Sequence, residues 1–594
     1  MEQQLFYTEQ IRQQQLLLRR IKNYRNTVTL LKLLAFASLI VESYRFIEHE
    51  SLHILFPVLS VAAFIALSQL DSRIVRRRQY TEKLLNLNEG EIAARKGDFS
   101  SFPTGEEFID STHPYSADLD LFGEDSLFRQ LNRTATAEGR LCLAQWMQHP
   151  CTDRKTLQER QEAVAELAGM PEWCLQFRAH STADTPSGTD NETRREWQNA
   201  SPIIRHPRAT RLFLYLMNTL TLACWGIVIG GWLPLSFALG LSSVQLLLIS
   251  CYVGKINSCH RRLDRLIRNL SRYLPAIRLI DRRTFQSAAL QNIRRELFNP
   301  DRNALQAFTR LSKIQERLDQ RANVLLAFLL DGLYMKDMHT LFLLEQWQQE
   351  YAGHLDRWIG KISETDALVS LATYHFNHPG YTFPVIDDTV ILDAREAGHP
   401  LIHGKTCVTN DFRIGKERQL HIITGANMAG KSTFLRTIGI NLVLAQMGSV
   451  VRSSRFAFRP TALFTSMRTT DNLAKETSYF HAELIRLRQL VRTANENTDL
   501  FIILDEMLKG TNSADKLKGS FAFLLRLSDL PVSGLVATHD LALSELHEKF
   551  PGRFINACFE ITHCGNQINY DYKLRSGVAN TMNATLLMQQ MGLI

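Results

Sequence analysis

The sequence predicts three architectures in one chain: a C-terminal α/β domain with a mostly parallel sheet, an all-α region ahead of it, and two membrane-crossing helical hairpins. Three observations carry this. Apolar runs at Leu420–Thr424, Phe501–Leu504 and Gly534–Thr538 alternate with helical stretches, as strands buried on both faces of a parallel sheet do. Between about 121 and 378, apolar residues such as Leu127, Phe128, Leu131, Leu141, Leu143, Trp146 and Met147 recur at the period of amphipathic helices. From Leu212 to Gly254, 43 residues pass without one Asp, Glu, Lys, Arg or His, interrupted only by the turn-like Gly230–Pro234.

A chain of 594 residues is too long for one hydrophobic core. Its 45% hydrophobic and 22% charged content excludes a disordered or collagen-like molecule. Nine cysteines are scattered without a C-x-x-C pair, so neither a disulfide framework nor a thiolate zinc site is indicated, and a reducing compartment fits. The net charge of +8 points to an anionic partner.

The expected order along the chain is an N-terminal segment with a hairpin (1–80, spans near 27–41 and 51–70), a linker rich in Gly, Ser, Pro and Asp (81–120), and the first part of a helical core (121–205). A second hairpin (206–255), a helical lever and core (256–378), and the α/β domain (379–594) follow. The polar stretch 181–200 reads as a loop, and Leu311–Ile362 as one or two long helices.

A bilayer core of about 30 Å needs roughly 20 apolar residues per helix. Each half of 212–254 supplies that number, with a break at the right place; a pair of buried core helices is the competing reading. Thr27–Val41 is shorter and contains Lys32, which must snorkel or face a neighbouring helix, so an interfacial helix competes there. Ser51–Leu70 is the stronger partner. Arg12, Arg19, Arg20, Lys22 and Arg25 precede the first pair and Arg73, Arg76, Arg77 and Arg78 follow it, against only Arg45 in the connecting loop. Basic residues on both flanks of the second pair give the same orientation, with the N-terminus, the C-terminus and everything larger than a short loop in the cytoplasm. Residues 255–302 hold twelve basic and four acidic residues, an excess that fits retention of the helix ends, anionic headgroups or nucleic-acid phosphates.

Gly425-Ala426-Asn427-Met428-Ala429-Gly430-Lys431-Ser432 satisfies G-x-x-x-x-G-K-[ST], behind an apolar strand and ahead of a helical segment beginning at Thr433. Such glycines let backbone N–H groups turn toward phosphate oxygens at a helix N-terminus; Lys431 adds charge, and the Ser432 hydroxyl is a magnesium ligand. Downstream, four apolar residues run into Asp505 and Glu506. Asp505 is placed to hold magnesium directly or through water, and Glu506 to orient or deprotonate an attacking water. His539 follows a third apolar strand; a strand-end histidine is by itself more often structural, and its reading as a γ-phosphate sensor rests on the resemblance described next. These features imply Mg2+ and ATP.

At these residues the chain closely resembles the MutS family of DNA mismatch-repair ATPases. Thr424–Arg436 (TGANMAGKSTFLR) resembles the family's phosphate loop, Leu504–Lys516 (LDEMLKGTNSADK) its acidic strand and following loop, and Ala537–Asp540 (ATHD) its histidine segment. Asp471-Asn472-Leu473 with Ser478-Tyr479-Phe480 is similar to the segment that reaches a partner's nucleotide. Ser126–Pro150, Glu364–Ala372 and Gly398–Ile402 (GHPLI) resemble parts of the helical core and the approach to the ATPase domain. The resemblance implies an ABC-type P-loop ATPase domain and a homodimer. In it each nucleotide lies between Asn427, Lys431, Ser432, Asp505, Glu506 and His539 of one subunit and Ser478 of the other, and ATP-driven closure moves helices that clamp DNA. The mismatch-reading module has no counterpart, its length being occupied by a hairpin, and no β-rich clamp insert is apparent between 256 and 360. By approximate alignment Cys407 and Cys558 stand at the adenine pocket.

The expected function is therefore a membrane-anchored, ATP-hydrolysing, DNA-binding switch, in contact with lipid through four spans and with a possible protein partner in DNA processing. The alternatives are an ATP-gated tether that does not touch DNA and an ABC-type transporter; the latter lacks an L-S-G-G-Q-like signature before Asp505.

Overall fold

The structure, a computed structural model, describes all residues except 1, 49–54, 182–194, 199–203, 205–206, 320–323, 403, 427, 469–478, 498, 509–511, 565–566 and 580–594. It is mostly helical with mixed sheets, and divides into two compact units: 1–133 with 143–175 and 368–594, and 134–142 with 176–367.

The first unit opens with two long antiparallel helices, α1 (Glu2–Glu48) and α2 (Leu55–Arg95). They pack through buried Ile21, Val28 and Ile74, flanked by Leu17, Leu67 and Leu70, and through the Phe36 and Phe64 rings, 6.1 Å apart. Lys32 faces its neighbour: its Nζ lies 3.0 Å from Asp71 Oδ2 on α2, and Arg25 reaches the other oxygen at 3.3 Å. Both helices run well beyond the expected spans. Thr81–Arg95, expected as linker, is the last part of α2. Its buried stripe is Thr81, Leu84, Asn88, Glu91 and Ala94, spaced three and four apart but mostly polar, so hydrophobic periodicity does not register it. The fully buried Glu91 accepts Arg133 Nε at 2.8 Å and Asn377 Nδ2 at 3.0 Å, and Tyr7 donates to Asn377 at 3.0 Å.

Residues 104–120, also expected as linker, lie against the α/β region. Asp118 accepts Thr465 Oγ1 at 2.6 Å and the amides of Met467 and Arg468, while Asp120 pairs with Arg436 and Arg468. Short helices α3 (Leu127–Leu131), α4 (Ala137–Gln148), α5 (Arg154–Ala168) and α6 (Pro171–Ser181) follow.

The second unit contains α7 (Pro207–Ile229), α8 (Leu235–Ser271), α9 (Leu274–Asp281), α10 (Ala288–Leu297), α11 (Ala304–Asp319), α12 (Val324–Tyr334) and α13 (Lys336–Tyr351); α14 (Leu355–Asn377) leads out of it. Helices α10 and α11 are separated by a two-residue ladder, β1 (Phe298–Asn299) with β2 (Arg302–Asn303). The stretch 311–362 is thus broken into short helices, with a left-handed Met335 (φ 46°) between α12 and α13. Asp366, buried, accepts the amides of Ala135 and Thr136 and the Thr136 hydroxyl, which starts α4. Burial raises its carboxyl to about 6.

Among the described residues, three helical regions are long and apolar enough to cross a membrane by length and composition: Glu2–Arg45, Val58–Arg95 and Arg208–Ile229. The fourth expected span corresponds to Leu235–Ser250, apolar but shorter, the start of a helix that runs on into a charged half.

After α14 come β3 (Val385–Ile386), β4 (Leu392–Ala397), β5 (Asn410–Ile414), β6 (Leu420–Gly425), β7 (Arg455–Phe458), β8 (Ala462–Ser466), β9 (Leu500–Asp505), β10 (Val532–Thr538), β11 (Phe554–Cys564) and β12 (Gln567–Ser576). The larger sheet has the order β12-β11-β6-β10-β9-β8, parallel except for the edge strand β12. The apolar runs fall on β6, β9 and β10, as expected of central parallel strands. A second, largely antiparallel sheet, β3-β7-β4-β5, was not apparent from the sequence. Helices α15 (Lys431–Gln446), α16 (Tyr479–Glu496), α17 (Ser513–Ser528) and α18 (Glu545–Lys549) complete the α/β region. Its core includes Ile422, Ile502, Leu504, Leu524 and Val536.

Candidate functional site

Strand β10 lies between β6 and β9, with Thr538 opposite Thr424 and Ala537 opposite Asp505. The carboxyl ends of three neighbouring parallel strands therefore deliver Gly425, Asp505 with Glu506, and His539 to one edge of the sheet, where ligands of open α/β sheets bind.

The loop after β6 turns tightly. Gly425 has φ 148°, and a Cβ there would stand 2.7 Å from the Phe559 carbonyl oxygen; Gly430 has φ 103°, and a Cβ there would meet the Tyr572 ring at 3.0 Å. Both positions require glycine. Met428 is left-handed and exposed, and Ala429 is buried. Helix α15 starts at Lys431, so its N-terminal dipole and first amides open at the loop.

Lys431 Nζ donates to the carbonyl oxygens of Gly425 (2.7 Å) and Ala426 (2.9 Å), and lies 3.4 Å from the His539 ring. Burial holds its ammonium down at about 8, against the upward pull of Asp505 and Glu506. Ser432 Oγ donates to Asp505 Oδ2 at 2.6 Å. His539 Nε2 stands 2.6 Å from Glu506 Oε1. Glu506 itself is left-handed (φ 53°), and its amide continues the ladder to the Ala537 carbonyl at 2.9 Å. A non-glycine residue held in that region at a strand end is a strained position of the kind found in functional sites.

These groups line a cavity of about 560 Å3. Its other walls include Ile402, Cys407, Val408, Phe559 and Tyr572, and polar His399, Thr406 and Asn410, beside the phosphate-type loop. Burial, helped by Arg436 and Arg452, lowers His399 to about 4, so it is neutral at pH 7. Asn410 fixes the Tyr572 wall by donating to its carbonyl at 3.0 Å and accepting the Leu574 amide at 2.8 Å.

Ala426, Met428, Gly430, Lys431, Ser432, Thr433, Asp505, Glu506 and His539, all candidates from the sequence, meet at this cavity. Asn427, Ser478 and the Asp471–Leu473 segment lie outside the described residues. Of the two cysteines aligned with an adenine pocket, Cys407 lines the cavity; Cys558 is buried in β11 opposite Thr424. The side chain from β11 in the cavity wall is the next one, Phe559, because alternate residues of a strand face opposite sides. Phe559, Tyr572 and Asn410 were not legible beforehand; His399 sits within the GHPLI stretch, which was the available signal.

The Ser432 hydroxyl and Asp505 carboxylate are adjacent hard oxygen donors, a set that suits magnesium. Among the described residues there is no cluster of three His, Cys, Asp or Glu side chains able to hold a metal. Phosphate oxygens and water would have to complete the coordination.

Comparison with known proteins gives two family matches: a model described as MutS domain V over residues 421–589, and one described as MutS domain III over 111–200. The DNA mismatch repair protein MutS of Persephonella marina is 34% identical over 241 residues, 39% of this chain and 27% of that protein. MutS of Aquifex pyrophilus is 32% identical over 246 residues (40% and 28%), and the DNA mismatch repair protein MSH3 of Vanderwaltozyma polyspora 30% over 265 residues (42% and 25%). The chain spans about a quarter of the length of these curated relatives. One family match covers the phosphate-type loop, both acidic residues and the histidine of the strand-end cavity, and the other covers helices α3 to α6; together with the relatives they support a MutS-family protein.

Proposed function

We propose that this protein is a membrane-anchored, MutS-like ATPase that binds and hydrolyses Mg-ATP as a homodimer and acts on DNA or on a DNA-processing partner. The observation that carries the reading is the convergence of Lys431, the Ser432–Asp505 pair and the Glu506–His539 pair on one cavity at the ends of adjacent parallel strands.

The triphosphate lies along the loop 425–430, with its γ-phosphate toward His539 and its base toward Cys407, Phe559 and Tyr572. On binding, Lys431 exchanges two carbonyl partners for phosphate oxygens. Ser432 and Asp505 would hold magnesium, which would supply charge neutralisation at the phosphate oxygens. Glu506 takes the proton of the attacking water as its oxygen bonds to the γ-phosphorus and the bond to the β,γ-bridging oxygen breaks, giving ADP and phosphate. Ser478 of a second copy completes the site.

The hairpin α1/α2 and the helices α7 and α8 anchor the chain in the cytoplasmic (inner) membrane, with both termini and the ATPase domain on the cytoplasmic side; the flanking arginines support that orientation. The relatives are DNA mismatch repair proteins by name, which makes DNA the first ligand to test. ATP hydrolysis by detergent-solubilised protein is measured with homoduplex, mismatched, branched and single-stranded DNA. Stimulation by at least one of them is expected; absence of both binding and stimulation across the panel removes DNA from the account.

A second reading, an ATP-gated tether for a membrane or protein partner, is favoured by the bonds from Tyr7 and Glu91 on the N-terminal hairpin to Asn377, at the threshold of the α/β domain. Pull-down with Glu506→Ala, an ATP-trapped form, separates the two: chromosomal DNA supports the first, a single membrane protein the second.

A further inference from the structure

We propose that residues 324–351, helices α12 and α13, form a re-entrant hairpin that dips into the bilayer beside α7 and α8 and presents Phe328 and Tyr334 to lipid acyl chains. The inference rests on the reading that α7 and α8 cross the membrane, and adds a fifth and sixth embedded element to it.

The path of the chain carries the argument. At the cytoplasmic level, α11 lies by the charged half of α8, where Arg268 and Asp319 are 3.9 Å apart. Helix α12 (VLLAFLLDGLY) then follows the apolar half of α8. A Cβ at Gly332 would stand 3.6 Å from Leu246 and 3.8 Å from Ser242, and Ser242 is joined to Trp225 Nε1 at 3.2 Å. Trp225 lies about 20 Å along α7 from Leu212 at 1.5 Å per residue, well inside an apolar layer of about 30 Å. Helix α13 runs back out. His339 meets Asn218 Nδ2 at 2.7 Å, about 9 Å along α7 from Leu212, and Met338, Leu341 and Phe342 pack with Leu214 and Ile249. Trp347 then donates to the Ala307 carbonyl on α11 at 2.7 Å, so the hairpin leaves on the side it came from.

The polarity of the hairpin is that of a membrane-embedded element. Asp331, Lys336 and Asp337 are each at most 8% exposed, whereas Phe328 is 64% and Tyr334 45% exposed. Charges inward and large apolar rings outward is the reverse of a surface facing water, and continues the outward Leu220, Phe237 and Leu239 of α7 and α8. The turn keeps its backbone satisfied, as hydrocarbon requires: Met335 N bonds to Asp331 O at 3.1 Å, and Asp331 Oδ1 accepts the Asp337 amide at 2.9 Å across the left-handed Met335. At 11 residues α12 is too short for a spanning helix.

The test is photocrosslinking of the full-length protein in vesicles of phosphatidylethanolamine and phosphatidylglycerol. p-Benzoylphenylalanine is placed singly at Phe328, Tyr334, Leu239 on α8 or the exposed Asp301, and lipid adducts are read by mass spectrometry. Adducts at Leu239 and at Phe328 or Tyr334, with none at Asp301, are expected. Adducts at Leu239 alone overturn the re-entrant hairpin and leave the α7/α8 anchor standing. Absence of adducts at all three apolar positions overturns the anchor and the hairpin together. Using two positions on α12 guards against one substitution failing to fold.

Discussion

Glu506 and His539, at the ends of adjacent parallel strands, are bonded to each other at 2.6 Å, Oε1 to Nε2. The proposed base and the proposed sensor are therefore in direct contact. In the proposed reaction the carboxylate turns from the imidazole to meet water, and the imidazole is released toward phosphate.

Removing the carboxylate should separate binding from turnover. Glu506→Ala is expected to lower kcat by about 10²–10⁴, the usual worth of a general base, while ATP affinity is retained. Single-turnover hydrolysis and nucleotide binding on the same sample check this; unchanged hydrolysis would assign the base elsewhere.

Burial depresses the Lys431 ammonium to about 8 from an ordinary 10.5. A bound triphosphate favours the charged form, so binding takes up a proton between about pH 8 and 10 and none near pH 7. Calorimetry at pH 8.5 in two buffers of different ionisation enthalpy should show net proton uptake. For stability the sign is the opposite of a salt-bridged lysine: the cost of the buried charge is fully present below pH 8 and is relieved as pH rises toward 10.5, where the unfolded chain also loses the proton.

Glu91 and Arg133 form a buried pair at 2.8 Å, with side chains 0% and 4% exposed. Glu91→Gln leaves the guanidinium without its counter-charge, and should cost roughly 3–5 kcal/mol of stability. Thermal unfolding in detergent measures it, and a change within 0.5 kcal/mol, as roughly expected of a neutral surface site, would contradict the packing described.

Lys32 and Asp71 couple α1 to α2. Asp71→Leu should destabilise the hairpin by about 1–3 kcal/mol because Lys32 is left unpaired, and Lys32→Leu with Asp71→Leu should recover most of it. Additive losses in this double-mutant cycle would show that the two residues do not interact.

The phosphate-type loop and the three strand ends were legible because buried parallel strands are continuous apolar runs and the loop needs glycine at fixed spacing. What escaped has identifiable causes. The stripe Thr81, Leu84, Asn88, Glu91 and Ala94 is helical but mostly polar, so the end of α2 read as linker. Asp118 and Asp120 resemble loop acids in sequence, and only the fold reveals that they hold Met467, Arg468 and Arg436. The base-side wall combines Cys407, Phe559 and Tyr572 from separate strands and loops, with no spacing to announce it. Cys558, expected near an adenine pocket, is buried opposite Thr424, and its neighbour Phe559 lines the cavity, because consecutive residues of a strand face opposite sides.

The most direct measurement is equilibrium binding of ATP to the purified full-length protein with and without magnesium, beside Lys431→Ala. Saturable, magnesium-dependent binding by the wild type that is lost in Lys431→Ala, with the variant's fold unchanged by circular dichroism, is the expected result. A correctly folded wild type with no affinity for adenine nucleotides would contradict the account.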